Sequence, residues 1–239
     1  MADTIEGNLI AVLDRVKAAA RKAGREPTEI TLVAITKNVE LKKVKEAISG
    51  GARVFGENYV QEAEDKIKKI KDASVKWHFT GHLQKNKAKF VVELFDVIET
   101  IDSVELAAEV NKRAKKPIEC LIEINIAREK TKTGVGPDHA LKLAKAISGM
   151  ENLRLIGLMC IPPASEDVEG TRPYFVALRR LAERINKEQI PGVAMRELSM
   201  GMSGDFEAAV EEGATFIRVG TAIFGHRAPQ AAKRPKKGQ

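Results

Sequence analysis

Between Glu29 and Val219, short apolar and β-branched runs alternate with segments of helical period, and they do so eight times. The runs are 29–36 (EITLVAIT), 53–55, 75–79, 97–100, 117–125, 153–159, 194–199 and 215–219. Continuous apolar runs of this length suit strands buried on both faces. The segments between them, 41–49, 57–71, 86–94, 104–115, 138–148, 172–187 and 205–212, carry apolar residues at helical spacing or helix stop signals such as Gly213. Strict alternation of strand and helix demands parallel strands joined by crossovers. A further amphipathic helix precedes the first strand, with Ile5, Leu9, Val12, Leu13, Val16 and Ala20 on one face and Gly24 and Pro27 ending it. The pattern predicts an α/β fold, a single (β/α)8 TIM barrel with an extra N-terminal helix. A doubly wound open sheet is the rival. No linker interrupts the alternation, so residues 1–227 form one domain, followed by a basic tail at 228–239.

Chemistry in such a barrel is built from the C-terminal ends of the strands, and phosphate sites use the loops after strands seven and eight. The stretch from Leu198 to Gly225 (LSMGMSGDFEAAVEEGATFIRVGTAIFG) holds both of those loops. Ser199, Gly201, Ser203 and Gly204 fall in the first, and Gly220 and Thr221 open the second. Small residues and hydroxyls let backbone amides approach an anion closely. Arg218 interrupts the otherwise apolar last strand, and a guanidinium there cannot shed its charge.

Lys37 ends the first strand, where burial lowers a lysine pKa. A lysine so placed is suited to imine formation with an aldehyde. The plain alternative is a lysine that leaves the strand for solvent. Lysine imine, phosphate cradle and a partner for a ring nitrogen are together what pyridoxal 5'-phosphate (PLP) requires. Other polar residues at strand ends are Glu57, Asn58, Glu99, Ser103 and Asn125. His78, inside a strand, reads as a hydrogen-bonded core residue, Trp77 as core, and Met159, Met200 and Met202 as packing. The lysine-rich runs at 66–71, 85–89 and 113–116 read as solvated helix faces. Cys160 lies just past the sixth strand, close enough to a pocket to raise a reactive role.

The formal net charge of +7 is concentrated at one end, because Arg227 to Gln239 carries five basic residues and no acidic one. That tail, rich in Lys, Pro and Gly, is expected to be disordered. The remaining charge is near +2, which gives little support to nucleic-acid binding. No apolar run approaches membrane-spanning length, and Asp3 and Glu6 break the pattern of a signal peptide. Two distant cysteines outside any CxxC spacing argue against a disulfide framework or a zinc site and for a reducing compartment, the cytoplasm. No Walker loop, GxGxxG or metal-ligand cluster is present.

The motifs LVAITK (32–37), FGENYVQE (55–62), WHFTGHLQKNK (77–87), GLMCIPP (157–163), LSMGMSGDFEAA (198–209) and IRVGTAIFG (217–225) occur in this order along the barrel. In them the chain resembles the pyridoxal phosphate homeostasis protein family, which is related to the N-terminal barrel of alanine racemase, a fold-type III PLP-binding barrel. The resemblance implies that Lys37 carries PLP as an internal aldimine and that Arg218 faces the pyridine nitrogen. Ser203, Gly220 and Thr221 match the phosphate binders, with Ser199 as a further candidate, and Asn58 matches an asparagine lining the pocket. His82 stands where some members carry proline, a position compatible with histidine.

What the resemblance implies for function is a PLP-binding protein of intracellular cofactor homeostasis that buffers or delivers PLP. Apo-forms of PLP-dependent enzymes would be its partners, with no membrane and no nucleic acid, and the chain would be a monomer or weak dimer. A PLP-dependent amino-acid racemase or related enzyme is the alternative. An arginine at the ring nitrogen leaves it neutral and the carbanion less stabilised. A racemase also needs a second acid/base group opposite Lys37. Tyr59 and Tyr174 are the only tyrosines, and neither is a clear second base.

Overall fold

The computed structural model describes residues 4–163, 165 and 167–225; the expected tail at 228–239 lies outside them. Eight parallel strands close into a barrel in sequence order. They are β1 (Thr31–Ile35), β2 (Val54–Glu57), β3 (Lys76–Phe79), β4 (Val97–Ile101), β5 (Ile118–Ile124), β6 (Leu153–Cys160), β7 (Glu197–Ser199) and β8 (Phe216–Val219). Strand β8 returns to β1, with Thr31 opposite Phe216 and Val33 opposite Arg218. That pairing removes both sheet edges and rules out the open-sheet rival.

The helices are α1 (Ile5–Lys22), α2 (Leu41–Ser49), α3 (Val60–Ile70), α4 (Ala88–Leu94), α5 (Val104–Arg113), α6 (Ala140–Ser148), α7 (Arg172–Lys187), α8 (Phe206–Glu211) and α9 (Thr221–Phe224). Thr4 caps α1, its Oγ1 accepting from Gly7 N at 3.0 Å. The α1 face of Ile5, Leu9, Val12, Val16, Ala19 and Ala20 is buried. It packs against α2, α8 and α9, so α1 fills the gap in the outer ring that the short α9 leaves open. Each large aliphatic residue fully buried this way is worth about 1.5–3 kcal/mol.

Several boundaries differ from the sequence expectation. Glu57 ends β2 rather than opening a helix, and α3 starts only at Val60 because Tyr59 stays extended (φ −128°, ψ 121°). Asn86 and Asp138 lie in single 3-10 turns ahead of α4 and α6. Residues 194–196 precede β7 rather than forming part of it. The turn expected at Gly220–Thr221 is the start of α9, with Gly220 O accepting from Phe224 N at 2.9 Å.

Two apolar layers hold the barrel. The larger one lies between strands and helices. Phe55, Phe79, Leu106, Phe175 and Phe206 are among its fully buried members, and Trp77 stacks 5.4 Å from Phe55. The smaller one, Val97, Leu121, Ile156 and Met159 with Phe216 packed on it, fills the barrel interior. Period-two alternation places Arg218 on the same face of β8 as Phe216. Above the apolar plug the interior therefore turns polar.

Candidate functional site

A cavity of about 310 Å³ lies at the C-terminal ends of the strands. Its wall includes Lys37, Asn58, Ser203, Arg218, Gly220 and Thr221, six of the seven residues expected from the sequence. Ser199 is the exception. It is fully buried, its hydroxyl donates to Glu99 Oε2 at 2.6 Å, and its oxygen accepts from Arg218 Nη1 at 2.5 Å. With both roles of the hydroxyl committed, Ser199 braces Arg218 from behind the cavity instead of lining it. A larger groove of about 750 Å³ runs between α1 and α2. Glu6, Lys42, Lys45 and Glu46 mix both signs of charge along it, and it lies on the flank, away from the strand ends.

Arg218 belongs to a buried chain of polar groups. His78 Nδ1 lies 2.6 Å from Glu99 Oε1, Ser199 bridges Glu99 to Arg218, and Arg218 Nη2 donates to Cys160 O at 2.8 Å. Burial opposes ionisation of Glu99, yet the hydrogen bond and charge of His78, the charge of Arg218 and the Ser199 hydroxyl outweigh it and hold the carboxyl below its ordinary range. The expectation that His78 is a hydrogen-bonded core residue holds: its ring also stands edge-on to Phe216 at 5.1 Å.

The backbone on both sides of Lys37 is clamped. Thr36 donates through Oγ1 to Glu57 Oε1 at 2.6 Å, and Asn38 N donates to Glu62 Oε1 at 2.6 Å. Lys66 Nζ ties these together, donating to Thr36 O at 2.5 Å and to Glu57 Oε1 and Glu62 Oε1 at 2.7 Å each. Lys66 is thus buried and fully bonded, contrary to the solvated face expected for the run at 66–71. Burial raises the Glu57 carboxyl above its usual range, with Lys66 opposing the shift.

The loop after β7 is shaped by close approach. Gly201 has φ +89°, and a Cβ there would lie 2.5 Å from Ala209 Cβ, so only glycine fits. Asp205 Oδ1 accepts from Met202 N at 2.6 Å and closes the loop. Ser203 Oγ in turn accepts from Ala222 N in α9 at 3.3 Å, which joins the two loops into one cradle. Asn58 is set by Thr80, whose Oγ1 donates to Asn58 Oδ1 at 3.0 Å. Met202 lines the cavity, half exposed, while Met159 and Met200 are core. Neither Tyr59 nor Tyr174 is on the cavity wall. Cys160 is buried and its thiol is pushed up to about 12 by desolvation, which makes it unreactive.

Comparison with known proteins decides the family. The alanine racemase N-terminal domain model matches residues 8–228. A curated relative from Aquifex aeolicus, "Pyridoxal phosphate homeostasis protein", is 41% identical over 92% of this chain and 96% of its own length. This chain belongs to the pyridoxal phosphate homeostasis protein family. Among solved structures, PipY of Synechococcus elongatus with PLP bound is 33% identical, with a TM-score of 0.81 over 93% of this chain and 100% of PipY. An alanine racemase from Clostridium difficile shares the fold (TM-score 0.73, 14% identity), the match covering 96% of this chain and 58% of that enzyme.

Sequence reasoning missed the roles of Glu57, Lys66 and Glu123. All three are charged residues buried by partners on other elements or in a later loop. The sequence signal available for Lys66 was its place in the apolar stripe of α3, at i+3 from the buried Ala63.

Proposed function

We propose that this chain binds pyridoxal 5'-phosphate at the barrel mouth and serves intracellular PLP homeostasis by buffering and delivering the cofactor. The observation that carries the reading is the charge of the cavity: its two charged wall residues, Lys37 and Arg218, are both cations. They sit beside the hydroxyls of Ser203 and Thr221, a donor set suited to a phosphorylated, anionic ligand. When bound, PLP supplies an aldehyde that combines with primary amines.

Lys37 is the amine that would hold it covalently. Ser203, Gly220 and Thr221 would take the phosphate, and Asn58 would lie beside the ring. Arg218, pinned by Ser199 and the Cys160 carbonyl, would face the ring nitrogen as a fixed cation unable to accept a proton. The family membership and the PLP-bound PipY structure support the same ligand. Among the described residues no helix is long and apolar enough to cross a membrane, and Cys120 and Cys160 are free thiols. We place the protein in the cytoplasm, as a monomer or weak dimer that hands PLP to apo-forms of PLP-dependent enzymes.

The test is the absorption spectrum of the purified protein with added PLP, followed by borohydride reduction and peptide mapping. Wild type is expected to turn yellow and to carry the reduced label on Lys37, while Lys37→Ala carries none. A wild-type protein that takes up no PLP overturns the reading.

A further inference from the structure

Behind Ile161, which lines the cofactor cavity, a second cavity of about 260 Å³ opens between β5 and the loop at 125–133. We propose that this cavity is a subsite for the ammonium group of a primary amine, held by Glu123 beside the cofactor cavity. Strands β1 and β5 lie half a turn apart in the closed order of eight. An amine at Glu123 therefore enters from the side of the mouth opposite the strand that leads to Lys37.

The loop is built rather than loose. Asn125 holds it with both ends of its amide: Nδ2 donates to Glu129 O at 2.8 Å and Lys132 O at 3.2 Å, and Oδ1 accepts from Glu129 N at 2.9 Å. Val135 then pairs back onto β5, donating to Glu123 O at 2.8 Å and accepting from Asn125 N at 3.0 Å. Gly134 permits that return. Its φ is +100°, and a Cβ would fall 2.7 Å from Asn125 N.

Glu123 is 6% exposed. Its Oε1 accepts from Thr133 Oγ1 at 2.7 Å, while its buried Oε2 has no hydrogen-bond partner among the described residues. A buried carboxylate oxygen without a donor is costly, and a ligand donor relieves that cost. Lys132, the cation on the wall, already has its charge matched by Glu129 Oε1 at 2.6 Å and donates to Pro162 O at 3.1 Å. The cavity wall therefore carries a carboxylate whose unmet oxygen lies just beneath the surface, within reach of a ligand once the carboxyl turns, and among the described residues no unmatched positive charge, which selects an ammonium over a carboxylate. Other charged groups that act on Glu123 are Asp102 after β4, His82 after β3 and Arg218 on β8, of mixed sign. Burial keeps the carboxyl above its usual range, so a bound ammonium also draws it towards the ionised form.

The use of the subsite, an amine brought next to the cofactor, rests on the proposed function; its occupancy does not. The experiment is an NMR titration of PLP-free protein with n-butylammonium, with n-butanol and butyrate as controls. Saturable amide shifts confined to residues 123–135 and 161 are expected, with at least tenfold weaker binding of both controls and of Glu123→Gln. Scattered shifts, equal binding of the alcohol, or unchanged affinity in the variant overturn the proposal. Should the variant misfold, the carboxyl 13C resonance of wild-type Glu123 decides: it moves at saturation if the amine is there, and a fixed resonance overturns the proposal. A parallel PLP titration by absorbance separates the two claims, because loss of PLP uptake leaves the amine result standing and the reverse is equally readable.

Discussion

Ser199 sits between Arg218 and Glu99 and couples the two buried charges. The serine hydroxyl donates to the carboxylate and accepts from the guanidinium, while His78 holds the other carboxylate oxygen and the Cys160 carbonyl the other guanidinium nitrogen. Glu99→Gln removes the negative charge near Arg218 and turns one of the two acceptor oxygens into a donor, so that either the contact to Ser199 or the contact to His78 loses its carboxylate oxygen. We expect Glu99→Gln to lower stability by about 1.5–3 kcal/mol, the cost of losing a charged hydrogen bond, as measured by urea denaturation. At the cavity wall, Ser203→Ala and Thr221→Val are each expected to weaken PLP binding about tenfold, equivalent to 1.4 kcal/mol. Fluorescence titration with PLP checks this, and unchanged affinity in both variants would remove the cradle at 203–221 from the phosphate site.

At the scale of elements, the tie between β1, β2 and α3 positions Lys37. Lys66 on α3 reaches past its neighbour Glu62 to the end of β2 and to the carbonyl of Thr36. Lys66→Ala would leave Glu57 buried without its counter-charge, which costs about 3–5 kcal/mol for such pairs. Thermal or urea unfolding is expected to show that loss. PLP affinity is expected to fall in the same variant, because the backbone at 36–38 loses its clamp; a variant that is destabilised but binds PLP normally would show that Lys37 is positioned by other contacts. The two loops of the cradle depend on each other in the same way, since Ser203 after β7 receives the Ala222 amide of α9.

For the whole molecule, the buried carboxyls set the response to pH. Burial raises Glu123 in the folded state above its usual range, so the unfolded chain releases that proton first. The stability this group contributes is full below about pH 4, where both states are protonated, and is lost as pH rises through the folded value. Glu57 acts in the same sense. Glu99 acts oppositely: its folded value is depressed, so its contribution is present above the usual glutamate range and lost as pH falls through the depressed value. Glu123→Gln is therefore expected to flatten the decline in stability as pH rises above the usual glutamate range and to be more stable than wild type once the carboxyl is ionised. Denaturation midpoints of the two proteins from that range upward check it.

The alternation of strand and helix, the barrel class and the strand-end positions of Lys37, Asn58, Ser203, Arg218, Gly220 and Thr221 were legible in the sequence. They depend on local periodicity and on counting strands, and a closed barrel brings every strand end to one mouth. The start of α3, the brace made by Ser199, the burial of Lys66 and the unmet oxygen of Glu123 were not legible. Whether a charged side chain is buried is decided by a partner elsewhere in the chain: nine residues away for Lys66 and Glu57, a hundred for Ser199 and Glu99. Burial of a charge becomes favourable only when that partner arrives. Periodicity reports which face of an element turns inward; the closing of β8 onto β1 decides which charges meet there.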